Sequence, residues 1–192
     1  MQSLLKDLAE IRMGLTVRGK GASQHTSEEG LHLLRISDIA ENGEITIEHP
    51  HAVEISPSSL EKHKLKPGDV ILANRGSRMT AAVALDGLEA IASNQLYRLR
   101  PRMRRILPEY LRWYLNLEQT QKLLGSKARG SYVMTLSIEE VGKLEIPLPS
   151  LERQRAVVEV ARLAEREREI LDQIAGLRRR YMQATLLQSL NT

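Results

Sequence analysis

The sequence has no cysteine, no phenylalanine and one tryptophan among its 192 residues. The absence of cysteine excludes disulfide bonds and thiolate metal sites, and it fits a protein of a reducing cytoplasm. No apolar run approaches the roughly 20 residues of a transmembrane helix, and the N-terminus lacks the layout of a signal peptide. Because apolar residues still make up 42% of the chain, we expect a cytoplasmic protein with an aliphatic core and no membrane partner.

The sequence also lacks the motifs of several enzyme classes. It has no Walker phosphate loop, no G-x-G-x-x-G, no Glu-x-Lys tripeptide of restriction nucleases and no Asn-Pro-Pro-aromatic motif of amino-methyltransferases. The close histidine pair His49 and His51 has no acidic residue at metal-ligand spacing, which favours a solvated loop. We therefore predict a protein without catalytic residues, cofactor or metal site.

Positive charge is in mild excess and is partly clustered. The net charge is +4 and the pI is near 9.5, which permits a polyanionic partner without requiring one. The segment RLRPRMRR (98–105) holds five arginines in eight positions. Arg98 and Arg100 alternate with Leu99 as in a strand, so both a solvated sheet edge and a contact to DNA phosphates remain open for this segment.

Hydrophobic periodicity divides residues 1–149 into short strands and a few helices. Leucines at helical spacing predict a helix over 3–14, and a glycine-rich polar stretch predicts a loop over 16–30. Short apolar runs bounded by turn residues predict strands, one of them after an Asn-Gly turn: 31–36, 40–47, 70–73, 81–85 and 95–100. Further helices are predicted over 107–125 and 137–144, with a loop over 126–135 between them.

The character of the chain changes after LEIPLPS (144–150). Two prolines end the folded part, Ser150 is a candidate N-cap, and no proline follows. Apolar residues then recur at heptad a and d positions, interrupted once by Glu167, with charged residues on the other faces. The predicted dimer seam consists of Val160, Leu163, Ile170, Ile174, Leu177, Tyr181 and Ala184. A single amphipathic helix packed onto its own domain remains the alternative.

These patterns predict an α+β fold in two parts. Residues 1–149 form a β-rich domain of mixed, twisted sheet with a few helices, and residues 150–192 form a long coiled-coil helix. A helix of this length spans about 60 Å at 1.5 Å per residue, so it can set a distance between two objects.

The order of these pieces resembles one half of the specificity (S) subunit of type I restriction–modification systems. The matching stretches are DLAEIRMGLT, LLRISDIAENGEI, LKPGDVILANRGSRM, IASNQLYRLRP, LPEYLRWYL and LEIPLPSLERQ. The family commonly shows Leu-Pro-Pro-Leu-x-Glu-Gln at the junction, where this chain has Arg153 in place of the last Glu. The resemblance implies that the second half of residues 3–14 is a strand.

The resemblance also implies a function. Each half of such a subunit is a target recognition domain followed by a helix, and two halves read the two parts of a split DNA site through an antiparallel coiled coil. The expected partners are double-stranded DNA, the methyltransferase (modification) subunit, which carries the chemistry, and a second copy of this chain; the restriction subunit is a further candidate. A homodimer favours a palindromic site. The alternative is an orphan half that competes for the methyltransferase as a regulatory protein.

Three polar loops are candidates for DNA contact, because phosphates are bound by Lys and Arg and base edges by Arg, Asn, Gln, Ser or Thr. The first loop lies near the N-terminus, the second directly follows the predicted buried strand at 70–73, and the third precedes the junction. The predicted DNA-binding residues are Arg18, Lys20, Gln24, Asn74, Arg75, Ser77, Arg78, Lys127, Arg129, Ser131 and Tyr132.

Overall fold

The computed structural model describes residues 2–16, 22–26, 31–48, 51–130 and 132–189. The chain divides into two units, Met1–Gln154 and Arg155–Thr192. The strands are β1 Gln2–Leu4, β2 Ala9–Met13, β3 Ala22–Thr26, β4 His32–Leu34, β5 His51–Ile55, β6 Val70–Ala73, β7 Ala81–Val83, β8 Ala90–Ala92, β9 Leu96–Pro101 and β10 Glu145–Pro147. The helices are α1 Leu5–Leu8, α2 Pro57–His63, α3 Pro108–Asn116, α4 Glu118–Lys127, α5 Ile138–Gly142 and α6 Leu151–Ser189. The predicted α+β class is confirmed.

The main sheet is antiparallel, with strand order β2-β9-β6-β7. Its inner strand β6 is buried along its whole length, as the continuous apolar run at 70–73 predicts. Val70 lies opposite both Leu99 and Val83, which fixes the register on either side. As a result β2 and β6 end, and β9 and β7 begin, at the same side of the sheet. We call this side the loop edge.

A second sheet packs beside the first, with strand order β3-β5-β4-β8 and a parallel pairing between β4 and β8. The shared core is aliphatic, as the composition predicts: Leu34 of β4 and Ala90 of β8 pack with Ile71 of β6 and Leu96 of β9. A third, two-stranded sheet pairs β1 with β10 and so ties the start of the chain to the junction before α6.

The arginine-rich segment 98–105 divides between the interior and the surface. Arg98 is 3% exposed and donates to the Lys62 carbonyl at 3.0 Å, and burial lowers its pKa. Arg100 forms two 2.7 Å bonds to the carboxylate of Asp69, a hydrogen-bonded pair that raises the pKa of Arg100. The first two arginines of the cluster therefore stabilise the domain.

Several predicted elements are wrong in extent. Of residues 3–14, only Leu5–Leu8 are helical, whereas Ala9–Met13 pairs with β9, as the family resemblance implies. Residues 40–47 form a turn closed by a bridge between Ile39 and Ile45 rather than a hairpin of strands. The predicted loop over 16–30 contains β3. Strands β2 and β3 form by pairing with the distant strands β9 and β5, which local propensity cannot show, whereas the 40–47 turn is closed by a local bridge.

The predicted helix over 107–125 is two helices, because Leu117 is extended with φ −58° and ψ 138° and separates α3 from α4. The break lets two amide side chains reach neighbouring backbone groups: Asn116 bonds to Ala81 at the start of β7, and Gln121 bonds to Met79 just before it. The short helix over 137–144 is confirmed as α5, and the Ser137 hydroxyl accepts from the Glu140 amide as its N-cap.

The junction to α6 is fixed by Gln154, whose side chain is fully buried. Its Oε1 accepts from the Leu107 amide at 2.9 Å, and its Nε2 donates to the carbonyls of Arg105 and Pro149, both at 3.0 Å. The Ser150 hydroxyl accepts from the Arg153 amide at 3.3 Å, which confirms the predicted N-cap. Arg153 itself is exposed, so its departure from the family pattern disturbs no buried packing.

Helix α6 is 39 residues long. The predicted seam residues are all exposed in the structure, among them Val160, Leu163 and Tyr181. Pairs such as Arg162 with Glu159 and Arg166 with Glu169 connect charged residues outside the seam. Within the described residues, no helix combines the length and apolarity that crossing a bilayer requires.

Replacement of Gln154 by Ala should destabilise the first unit by about 3 kcal/mol, because it leaves one amide and two carbonyl groups without their buried partner. The free energy of unfolding, measured by urea denaturation with circular dichroism, checks this. Arg153→Ala, at the exposed neighbour, is the control and should change stability by less than about 0.5 kcal/mol. Equal unfolding midpoints for the two variants would contradict the assigned role of Gln154.

Candidate nucleic-acid interface

The loop after β6 begins with a buried asparagine. Asn74 is 1% exposed, and its Nδ2 donates to the Asn94 carbonyl at 2.9 Å. The same carbonyl accepts from Nη2 of Arg75 at 3.4 Å, while Nε of Arg75 donates to the Asn74 side-chain oxygen at 3.3 Å. Asn74 therefore positions the loop and the half-buried Arg75 beside it, and Ser77 and Arg78 are exposed further along.

The other end of this loop is held by the two amide side chains on either side of the α3–α4 break. Asn116 accepts from the amide of Ala81 and donates to its carbonyl, both at 2.8 Å. Gln121 makes the same pair of bonds to Met79, both at 2.9 Å. These side chains take the place of a neighbouring strand along residues 79–81, where the chain enters β7. Residues 75–78 are thus presented between two anchored ends.

The third predicted loop lies directly beside the second. Arg129 and Thr135 exchange both backbone hydrogen bonds, at 2.9 and 2.8 Å. Thr135 also bridges to Arg75, and the Gly76 amide donates to the Met134 carbonyl at 3.2 Å. The structure therefore brings the second and third loops together, although 48 residues separate Arg78 from Lys127 in the chain.

The first predicted loop departs from the same edge of the sheet. Gly14 and Leu15 follow β2 and approach the 93–94 segment, with the Leu15 amide donating to the Ala92 carbonyl at 2.7 Å. A Cβ on Gly14 would collide with the Ser93 carbonyl oxygen. Arg18, Lys20 and Ser131 lie outside the described residues. Gln24 lies in β3, and its side chain is also outside the described part of the chain.

The exposed charge at this edge is basic. Arg78 and Arg129 are exposed, and Lys127 is half-buried in an ion pair with Glu140 at 3.0 Å. That ion pair lowers the pKa of Glu140. Burial raises the pKa of the Tyr97 hydroxyl. This hydroxyl donates to the carbonyl of Leu136, the residue that follows the third loop, at 2.8 Å and so anchors the end of that loop. Tyr132 is fully exposed.

Sequence reasoning missed the SNQ turn (93–95) between β8 and β9, which also lies at this edge and holds the second loop. The Asn94 carbonyl holds Asn74 and Arg75, and the Gln95 carbonyl accepts from the Asn74 amide at 3.0 Å. The available signal was a polar triplet between two apolar strands. Within the described ranges, no three His, Asp or Glu side chains lie close enough together to hold a metal ion.

Comparison with known proteins gives a consistent result. The profile of a family described as "Type I restriction modification DNA specificity domain" matches residues 1–174. The chain is 21% identical over 132 residues to the type I restriction enzyme EcoBI specificity subunit of Escherichia coli, covering 68% of this chain and 28% of that protein.

Two solved structures have similar folds. One is a chain from a structure of a type I R-M system described for its complex assembly and conformational transition, with TM-score 0.67, 21% identity, and coverage of 89% of this chain and 39% of that one. The other is the HsdS subunit from Thermoanaerobacter tengcongensis, with TM-score 0.61, 21% identity and coverage of 87% and 37%. The chain thus spans less than half the length of each of these relatives.

Asn74→Ala should loosen the whole loop edge, since it removes the buried bond to Asn94 and the support of Arg75. We expect a loss of about 2 kcal/mol in the free energy of unfolding and faster hydrogen exchange at the amides of Gly76 and Leu136. Ser77→Ala, at an exposed position of the same loop, is the control and should leave both measurements unchanged. Unaltered exchange in Asn74→Ala would contradict the positioning role.

Proposed function

The chain belongs to the family of type I restriction–modification DNA specificity domains, and from this membership we propose that it reads DNA with the loops of the loop edge. The observation that carries the proposal is the convergence of two distant basic loops on one side of the main sheet, joined by backbone bonds through Thr135. Loops held on a rigid scaffold are the usual carriers of recognition.

The loop edge offers both kinds of contact that DNA recognition needs. Arg78 and Arg129 are exposed cations suited to phosphates. Arg75 is oriented by two hydrogen bonds to its neighbours, and a guanidinium held in this way suits bidentate contact with guanine in the major groove. Asn74 supports the loop and does not itself reach DNA in this proposal.

In the proposed complex the chain contributes recognition and no chemistry. The methyl transfer belongs to a modification subunit, and the chain delivers that subunit to its site. The proposed domain boundary at 149/150 separates the reading domain from an arm that sets the spacing between two such domains.

The arm is proposed to pair with the arm of a second copy in an antiparallel coiled coil. A two-fold axis beside Asp172 would set Ile170 against Ile174, Leu163 against Tyr181 and Val160 against Ala184. Leu177 would face Glu167, the one charged interruption, so the seam is complementary to itself at all its other positions. Exposure of these side chains supports the proposal, since burying one aliphatic side chain stabilises by roughly 1.5–3 kcal/mol. Reading domains about 50–60 Å apart would suit a split, palindromic site with half-sites about one and a half turns apart.

A second apolar stripe on α6 is proposed to bind the modification subunit. Leu171, Ala175 and Met182 are exposed and recur at helical spacing. At about 100° per residue they lie roughly 100° around the helix from the seam. A helix with two apolar faces suits two neighbours, and the second copy can cover only one of them.

The DNA-reading role is tested in the complex formed by co-expression with the proposed partner, a type I modification subunit from the same organism. Replacing Arg75 and Arg129 together by Ala should reduce methylation of host DNA at the recognised site about 100-fold, since each arginine contact to DNA contributes roughly a factor of ten. Sequencing of methylated bases is the measurement. The control replaces Arg102 and Arg104, two exposed arginines beyond the opposite end of β9, and should leave methylation intact.

Full methylation by the Arg75 and Arg129 variant would exclude these loops as the reading surface. Equal loss in both double variants would indicate an effect of total charge rather than of position.

The two stripes of α6 are tested against each other. Leu163→Glu with Leu177→Glu should convert a dimer into a monomer, because it places charges in the seam. Leu171→Glu with Met182→Glu, on the second stripe, should leave the mass unchanged and abolish co-purification with the modification subunit. Light scattering after gel filtration gives the mass. A monomeric mass for the unaltered chain would contradict the homodimer.

A further inference from the structure

The third loop is a narrow hairpin. The paired bonds between Arg129 and Thr135 close a loop of five residues. Gly130 has φ +137°, and a Cβ at this position would collide with the Val133 carbonyl oxygen. Only glycine permits this tight return of the chain. We call Tyr132, Val133 and Met134 the hairpin tip.

The base of this hairpin is anchored in the domain. Leu136 is fully buried, its amide donates to the Asn74 carbonyl at 2.8 Å, and its carbonyl accepts from the Tyr97 hydroxyl at 2.8 Å. The Gly76 amide holds the Met134 carbonyl. The hairpin tip therefore extends from a base that is fixed by two other segments of the chain, the 74–76 loop and Tyr97 of β9.

The hairpin tip is apolar and exposed. Tyr132 is 102%, Val133 53% and Met134 43% exposed, next to the cations Arg75 and Arg129. Three consecutive exposed apolar residues are unfavourable in water, and an anchored position among arginines makes them candidates for contact with a partner. Val133 has no hydrogen-bonding side chain and the Met134 sulfur is at most a weak acceptor, so neither side chain is suited to reading a base by hydrogen bonds.

The surrounding positive charge favours DNA as that partner. The major groove is wide enough for a two-stranded ribbon, so a loop closed by one pair of backbone bonds can enter it, and the one apolar group that distinguishes a base there is the 5-methyl group of thymine. We propose that the hairpin tip reads thymine in the major groove through contact of Val133 and Met134 with this methyl group. This inference rests on the proposed DNA-reading function and adds a base preference to it.

The test is a double-mutant cycle between the protein and single methyl groups of the DNA. The probe is a duplex that carries the site mapped by methylation, and each thymine in turn is replaced by deoxyuridine, which pairs identically and lacks only the methyl group. Binding is measured with the complex of this chain and its modification subunit. The protein variant is Val133→Thr with Met134→Gln, which preserves size and adds polarity; Met103→Gln, beyond the opposite end of β9 and also exposed, is the control.

At one or more thymines, deoxyuridine should weaken binding of the unaltered complex about fourfold, the effect of one lost methyl contact. The tip variant should show no such weakening at the same positions, whereas Met103→Gln should behave like the unaltered chain.

Three results would overturn the inference: a mapped half-site without thymine, indifference of the unaltered complex to every deoxyuridine, or equal sensitivity in the tip variant. Loss of co-purification with the modification subunit in the tip variant would instead assign the hairpin tip to a protein contact. Failure of the proposed function itself would appear differently, as the absence of any sequence-specific binding by the unaltered complex.

Discussion

Burial of β6 on both faces is the constraint on which the rest of the domain depends. Its four side chains lie in the core, so a slip of one residue against β9 or β7 would move buried groups out of their packing. The register therefore fixes where β2, β6, β7 and β9 turn. All of their turns at one side of the sheet become neighbours, and this places the 74–80 loop beside the 93–95 turn.

Amide side chains then convert that arrangement into a rigid surface. Asn74, Asn116 and Gln121 each supply a donor and an acceptor to nearby groups, and two of them bond the backbone of Met79 and Ala81 where the chain enters β7. Gln154 does the same at the start of α6. A buried amide can satisfy two backbone groups at once, so one side chain can join two segments without burying a charge.

Charge is divided between support and surface. Inside the domain, Arg98 pairs with Glu10 and donates to the Lys62 carbonyl, and Arg100 pairs with Asp69. Arg78 and Arg129 remain exposed at the loop edge. The net charge of +4 therefore says little about where a polyanion would bind. Arginines of one short segment can pair with groups inside the domain, while isolated arginines remain exposed on the surface.

The sequence alone determined the class of fold, the buried strand at 70–73, the caps Ser137 and Ser150, the heptad pattern of the arm and, through its resemblance, the family. These depend on local periodicity and on residues whose preferences hold in any context. The tertiary structure decided that residues 9–13 form a strand, that one predicted helix breaks at Leu117, that Asn74 is a support, and that the 74–78 and 127–135 loops share one surface. Those outcomes depend on contacts between residues distant in the chain, and the energy of such contacts exceeds local propensity without leaving a pattern in the sequence nearby.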